Sequence, residues 1–185
     1  MMLKEVLKKY IDGFFKVFED DLKSLPKVAY DEDNPSNLYV GEMDNDGWIQ
    51  WQYAPVDRII DFSELEEEYA VHISTELKEY YNSFYFLDLC GFFDNVLIML
   101  DNIDDTTDVI EEFRCVIESN ESMIPIGIDG RNCMICVKID SGCVITDDWE
   151  CEEQYILADS LSEFFSKLKP RKDFDGQATW SPSQT

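Results

Sequence analysis

Ile124-Pro125-Ile126-Gly127-Ile128, then Asp129-Gly130-Arg131-Asn132, then Cys133 to Ile139, then Asp140-Ser141-Gly142, then Cys143-Val144-Ile145-Thr146: the order of this stretch decides the fold. Three short apolar runs are separated by two tight turns. Gly and Asn occupy the turn centres, where a backbone of positive φ is needed, so the runs read as a three-stranded meander. Acidic residues follow, and then an amphipathic helix ending at Leu168-Lys169-Pro170. One face of the meander needs cover, and the stripe Leu161, Phe164, Phe165 and Leu168 can supply it.

Working outward, the chain of 185 residues is long enough for one well-buried core and short for two. Its 45% hydrophobic and 14% aromatic content marks a globular protein, although its formal charge is −25. Such a field repels nucleic acid and anionic lipid and attracts basic partners, so nucleic-acid binding is discarded first. The charge is uneven. Residues 28–166 hold 33 acids against five bases (Arg58, Lys78, Arg114, Arg131 and Lys138). The acids are either a solvated coat that keeps the protein soluble or a docking surface for a basic protein. The N-terminus lacks the apolar core of a secretory signal, and no apolar run approaches the roughly 18 residues of a membrane span. A cytoplasmic protein with six reduced cysteines is expected.

Toward the N-terminus, Leu3, Val6, Leu7, Tyr10, Phe14, Val17, Phe18 and Leu22 recur at helical spacing, and Pro26 closes a helix over 2–24. Residues 29–36 read as a loop. Leu38 to Met43 and Trp48 to Tyr53 form a hairpin about Asp44-Asn45-Asp46-Gly47. The spacing fits only the start of a calcium loop, because the closing acid would fall at Tyr53. Ser63 and Glu66 form a capping box opening a second helix that runs to about Ser83, with Leu65, Tyr69, Ile73, Leu77, Tyr80 and Phe84 inward. His72, the one histidine, lies beside that stripe as a partly buried structural residue. The aromatic stretch 84–93 reads as core rather than an exposed ledge. A strand at 96–100 follows, then a short helix capped by Asp108 and Glu111 and carrying Val109, Ile110, Phe113 and Ile117. Ser160 and Glu163 make a third capping box. The organisation is a domain over 1–170 and a polar, disordered tail over 171–185 with Trp180 as its apolar hook.

No catalytic constellation stands out. Cys133, Cys136, Cys143 and Cys151 could be forced into a zinc site, but the first two fall three apart on one strand, pointing to opposite faces, so plain thiols are expected. Phosphate-binding glycine loops are absent, and a serine triad would need His72 in mid-helix. No cofactor and no metal are expected. An enzyme is not, and a hydrolase working through carboxylates has no motif behind it.

Several ordered segments resemble the Syd family within the SUKH superfamily. They are Trp51-Gln52-x-x-Pro55, the helix ending at Tyr80 or Tyr81, the strand from Asp94 through Leu100, and Pro125-Ile126. To these add Val137, Ser141, Gly142 and Val144, and Leu157-Ala158-x-Ser160-Leu161-x-Glu163-Phe164 running to Leu168-Lys169-Pro170. The resemblance implies an α+β fold, a central and mostly antiparallel sheet flanked by helices, with a concave acidic surface. It implies a stoichiometric binder of protein. Syd docks on basic cytosolic loops of the SecY channel, and SUKH relatives are immunity proteins that neutralise toxins. The first gives a possible peripheral place on the inner membrane through the partner. The greater acidity of this chain suits a basic toxin domain. The expected docking site centres on Trp48 and Gln50, opposite the inward Ile49, Trp51 and Tyr53, with Glu42, Asp44, Asp46, Glu64, Glu66, Glu67 and Glu68 around it.

Overall fold

The structure is a computed structural model that describes residues 2–148 and 153–170. Cys151 and the tail expected to be disordered, Trp180 included, lie outside the described residues. The fold is α+β: five helices and twelve strands among the described residues, with every strand pairing antiparallel. The helices are α1 (Leu3–Leu22), α2 (Ser63–Tyr69), α3 (Thr75–Tyr81), α4 (Val109–Glu118) and α5 (Leu161–Lys167). The first strands are β1 (Lys27–Ala29), β2 (Tyr39–Val40), β3 (Trp48–Trp51), β4 (Ala54–Pro55), β5 (Phe84–Tyr85), β6 (Cys90–Phe93) and β7 (Val96–Leu100). The rest are β8 (Met123–Asp129), β9 (Met134–Lys138), β10 (Val144–Asp148), β11 (Glu153–Ala158) and β12 (Lys169–Pro170).

The meander forms as β8-β9-β10, with Asn132 at φ 68° and Gly142 at φ 76° in its turns. It is the middle of a seven-stranded sheet in the order β11-β10-β9-β8-β7-β6-β12. Alternation sorts the sheet into two faces. Ile98, Leu100, Ile124, Ile135, Val137, Val144 and Ala158 point to the helical side and are buried. Leu161, Phe164, Phe165 and Leu168 of the last helix are buried there too, and Phe164 stacks on Phe93 at 5.4 Å. Across the sheet, Cys90, Met99, Ile128, Met134, Asp147 and Gln154 form one row of cross-strand partners on the other face, where Ile128 and Ile156 stay exposed.

α1 packs against α3, α5 and β12, burying Leu3, Leu7, Ile11 and Phe14. The left-handed Lys23 ends it before Pro26. A second, three-stranded sheet β1-β3-β2 rests on α1 through Trp51, whose ring lies 6.2 and 5.0 Å from those of Phe14 and Phe15. The aromatic stretch is core: Phe84, Tyr85, Phe86 and Phe93 are all buried.

Four expectations need correction. The long second helix is two helices. Ala70 turns left-handed at φ 51°, and Ser74 starts α3 by accepting the N–H of Leu77 at 3.2 Å while its own N–H goes to the Ile139 carbonyl at 2.7 Å. That break exposes His72, which stands 3.5 Å from Glu66 instead of lying partly buried. The Ser63–Glu66 capping box does not form, because Ser63 bonds Asp61 and Glu66 reaches forward to Ile73 and Lys78. Residues 27–29, which run into the expected loop at Ala29, and 153–158, where an acidic connection was expected, are strands. The caps at Asp108 and Ser160 do form, with N–H groups of Glu111 and Glu163 at 3.2 and 3.1 Å.

Candidate functional site

The hairpin carries the first group of candidate residues. Register pairs Trp48 with Ala29 and Gln50 with Lys27 and Val40, so these side chains share the outer face, while Val28, Tyr39, Ile49 and Trp51 turn inward. Trp48 is 44% exposed. Its backbone is set by Asp44, whose carboxylate accepts the N–H groups of Asp46 at 3.0 Å and Trp48 at 2.9 Å. This is an Asx turn, which a short acceptor side chain makes with its own backbone. Asp44 is also paired with Lys27 at 2.6 Å. That hydrogen bond, with the turn N–H of Trp48 behind it, holds its carboxyl below the ordinary aspartate range. Glu42 and Asp46 are exposed, and so are Val40 and Met43 on the same hairpin and Tyr30 beside it. The apolar neighbours of Trp48 were not singled out from sequence, though Val40 and Met43 sit in the hairpin read from it.

The second group sits elsewhere. Glu64, Glu67 and Glu68 are exposed on α2. α2 packs on α4 through Phe62 and Phe113, 5.3 Å between rings, and Tyr69 donates to Glu118 at 2.6 Å. The hairpin rests on α1. The candidate residues therefore lie on two elements that pack against different helices. Glu66 belongs to neither surface. It accepts from the Ile73 N–H at 2.8 Å and from Lys78 at 2.7 Å, and it fastens the α2–α3 break.

A further acidic run lies outside the expected docking site. Residues 101–121 carry Asp101, Asp104, Asp105, Asp108, Glu111, Glu112, Glu118 and Glu121 against Arg114 alone. The signal was the run itself. What hid its meaning is that the acids split between satisfied caps and unsatisfied groups, which only the fold shows. Asp104 accepts from Thr106, Asp108 caps α4, and Glu111 pairs with Arg114 at 2.9 Å.

Among the described residues, no three His, Cys, Asp or Glu side chains come together as a metal ion would require. Cys133 and Cys136 are both buried. Burial, with the charges of Asp147, Glu121 and Asp101 added, pushes the Cys136 thiol up to about 12. Among the described residues no helix is long and apolar enough to cross a membrane.

Comparison with known proteins supplies the context. The sequence model of Syd protein (SUKH-2) matches residues 4–111, and that of the SMI1 / KNR4 family (SUKH-1) matches residues 58–167. Protein Syd of Shewanella frigidimarina (strain NCIMB 400) is 24% identical over 180 residues, covering 92% of this chain and 83% of that protein.

Proposed function

The chain belongs to the Syd (SUKH-2) family, and on that premise we propose that it is a non-enzymatic protein that binds a basic protein partner, as an immunity protein neutralising a toxin domain. One observation carries the reading: the 33 acids against five bases over residues 28–166, on a fold in which the hairpin and α2 leave most of their acids exposed. A nuclease must present a basic surface to nucleic acid, and an acidic protein of matching shape occupies that surface by the same electrostatics. In this reading the protein works in the cytoplasm, needs no cofactor, and acts one to one rather than by turnover.

A second reading draws on the family match. The resemblance to Syd supports the basic cytosolic loops of SecY as partner, which would bring the protein to the inner membrane without a span of its own. Gene order and inhibition separate the two. A toxin gene directly upstream, whose purified domain loses its activity at one equivalent of this protein, supports immunity. Binding to vesicles that contain SecY, with no inhibition of that domain, supports the channel reading. If the protein binds neither candidate when both are tested, the proposal is overturned.

A further inference from the structure

A cavity of about 180 Å³ opens between the end of α3, the segment after β7, α4 and β8. Tyr80, Tyr81, Asp101, Asn102, Glu112 and Pro125 are among its walls. Three features of it are unresolved within the chain. Asp101 and Glu112 have no cationic partner and no hydrogen-bond donor among the described residues, whereas Glu66, Glu68, Glu111 and Glu118 nearby are all engaged. Both residues are exposed to water at the mouth of the cavity. Even so, burial raises the pKa of each, and the charges of Asp101 and then Asp108 raise that of Glu112 further. Third, the Tyr80 hydroxyl is buried and has no hydrogen-bond partner among the described residues. Burial is the main reason its ionisation is suppressed, and the Asp101 charge is the other, which puts the hydroxyl within reach of that carboxylate's field. A buried hydroxyl left unbonded is costly, and native proteins seldom keep one without a use.

We propose that this cavity is the socket for an arginine side chain of the basic partner, with Asp101 and Glu112 facing the guanidinium and the Tyr80 hydroxyl accepting one of its N–H groups. The inference rests on the reading of a basic protein partner and names where that partner is anchored. A guanidinium is planar, carries five donors in a fork, and is weakly hydrated, so it enters a partly dry cleft more readily than an ammonium. Two carboxylates and an acceptor oxygen match that fork. A hard divalent cation, needing about six oxygen ligands, finds two carboxylates here.

The test is a titration of the isotopically labelled full chain with N-acetyl-arginine amide, followed residue by residue by NMR, with N-acetyl-lysine amide and calcium chloride in parallel. Saturable shifts at Asp101, Asn102 and Glu112 are expected, at least threefold tighter for the arginine amide than for the lysine amide. Glu112→Gln should weaken that binding tenfold or more. Tyr80→Phe is the sharper variant, because it deletes only the orphan hydroxyl: binding should weaken severalfold while the melting temperature holds or rises. Unchanged binding in Tyr80→Phe overturns the proposal. So do shifts spread evenly over exposed acids, equal or tighter binding of the lysine amide, or calcium producing the same shifts more tightly. If whole-partner binding remains strong and salt-dependent while the arginine amide leaves the cavity untouched, the socket fails and the basic-partner reading stands. If no basic partner binds at all, the broader reading has failed first.

Discussion

The Lys78 ammonium donates to the Glu66 carboxylate at 2.7 Å across the turn that separates α2 from α3. The same carboxylate takes the N–H of Ile73 at 2.8 Å. Burial alone would raise the Glu66 pKa. The Lys78 and Ile73 hydrogen bonds, with the charges of Lys78 and His72, outweigh it and hold the group below the ordinary glutamate value. Stability from such a group is complete above the unfolded pKa and is lost as pH falls through the folded one. Asp129, buried and paired with Arg131 at 2.7 Å, has the same sign. Asp101 and Glu112 have the opposite sign: their raised values oppose folding at neutral pH, and that opposition fades as they protonate. The melting temperature should therefore rise as pH is lowered from 7 toward about 5, and fall below about 4. Glu112→Gln should flatten the rise, and Glu66→Gln the fall. A melting temperature that declines steadily from pH 7 downward would contradict this balance.

Gly91 sits where the chain closes on itself. Tyr10 of α1 donates its hydroxyl to the Cys90 carbonyl at 2.7 Å, and a methyl group on Gly91 would collide with that hydroxyl and with the Lys169 carbonyl. Backbone cannot step aside as a flexible side chain would. Gly91→Ala should cost about 1–3 kcal/mol, and Tyr10→Phe about 1 kcal/mol, both read from urea denaturation. A Gly91→Ala protein as stable as the parent would show that the β6–β12 edge is loose.

The cysteines should behave as separate thiols. Cys115 is exposed and Cys133 and Cys136 are buried, so residue-resolved alkylation of the native protein should modify Cys115 first and the other two only on unfolding. Chelator should leave the melting temperature unchanged. Stoichiometric zinc, lost together with stability, would overturn this.

Much of the architecture was legible because its signals are local. Asn132 and Gly142 announce the meander turns, Asp108 and Ser160 announce helix starts, and the alternation of Ile49 and Trp51 separates the two faces of the hairpin. The break at Ala70 was hidden because Leu65, Tyr69, Ile73 and Leu77 keep a spacing of four straight through it. Ala70 turns left-handed at the end of α2, the Glu66 carboxylate takes the Ile73 N–H, and a tertiary acceptor, the Ile139 carbonyl, takes the Ser74 N–H where α3 begins. β11 was hidden by its acidic start and by Tyr155 and Ile156, which remain exposed. β12 is two residues long and includes Pro170, tolerable at a sheet edge because no further strand needs its missing N–H. For the docking site, sequence nearness suggested that the acids of α2 surround Trp48. Packing sends that helix to α4 and the hairpin to α1.

Trp48 separates two accounts of the hairpin. It is 44% exposed, so Trp48→Ala should cost the fold no more than about 1 kcal/mol while weakening partner binding by about 2 kcal/mol or more, as truncation of an aromatic anchor does. Glu64→Lys with Glu67→Lys should slow association and leave dissociation nearly unchanged. Glu66 is left out of that pair because its loss would disturb the α2–α3 turn. A collapsed melting temperature in Trp48→Ala, or unaltered binding, would remove the hairpin from the docking surface.

The central claim is that a −25 charge draws in a basic protein, and the association rate measured against ionic strength tests it most directly. With a basic toxin domain that the protein binds, or SecY in vesicles, stopped-flow mixing should show the rate constant falling by about tenfold or more as salt rises from about 0.05 to 0.5 M, since the Debye length shrinks to a few ångströms. An association rate that is the same at both ends of that range would contradict the account.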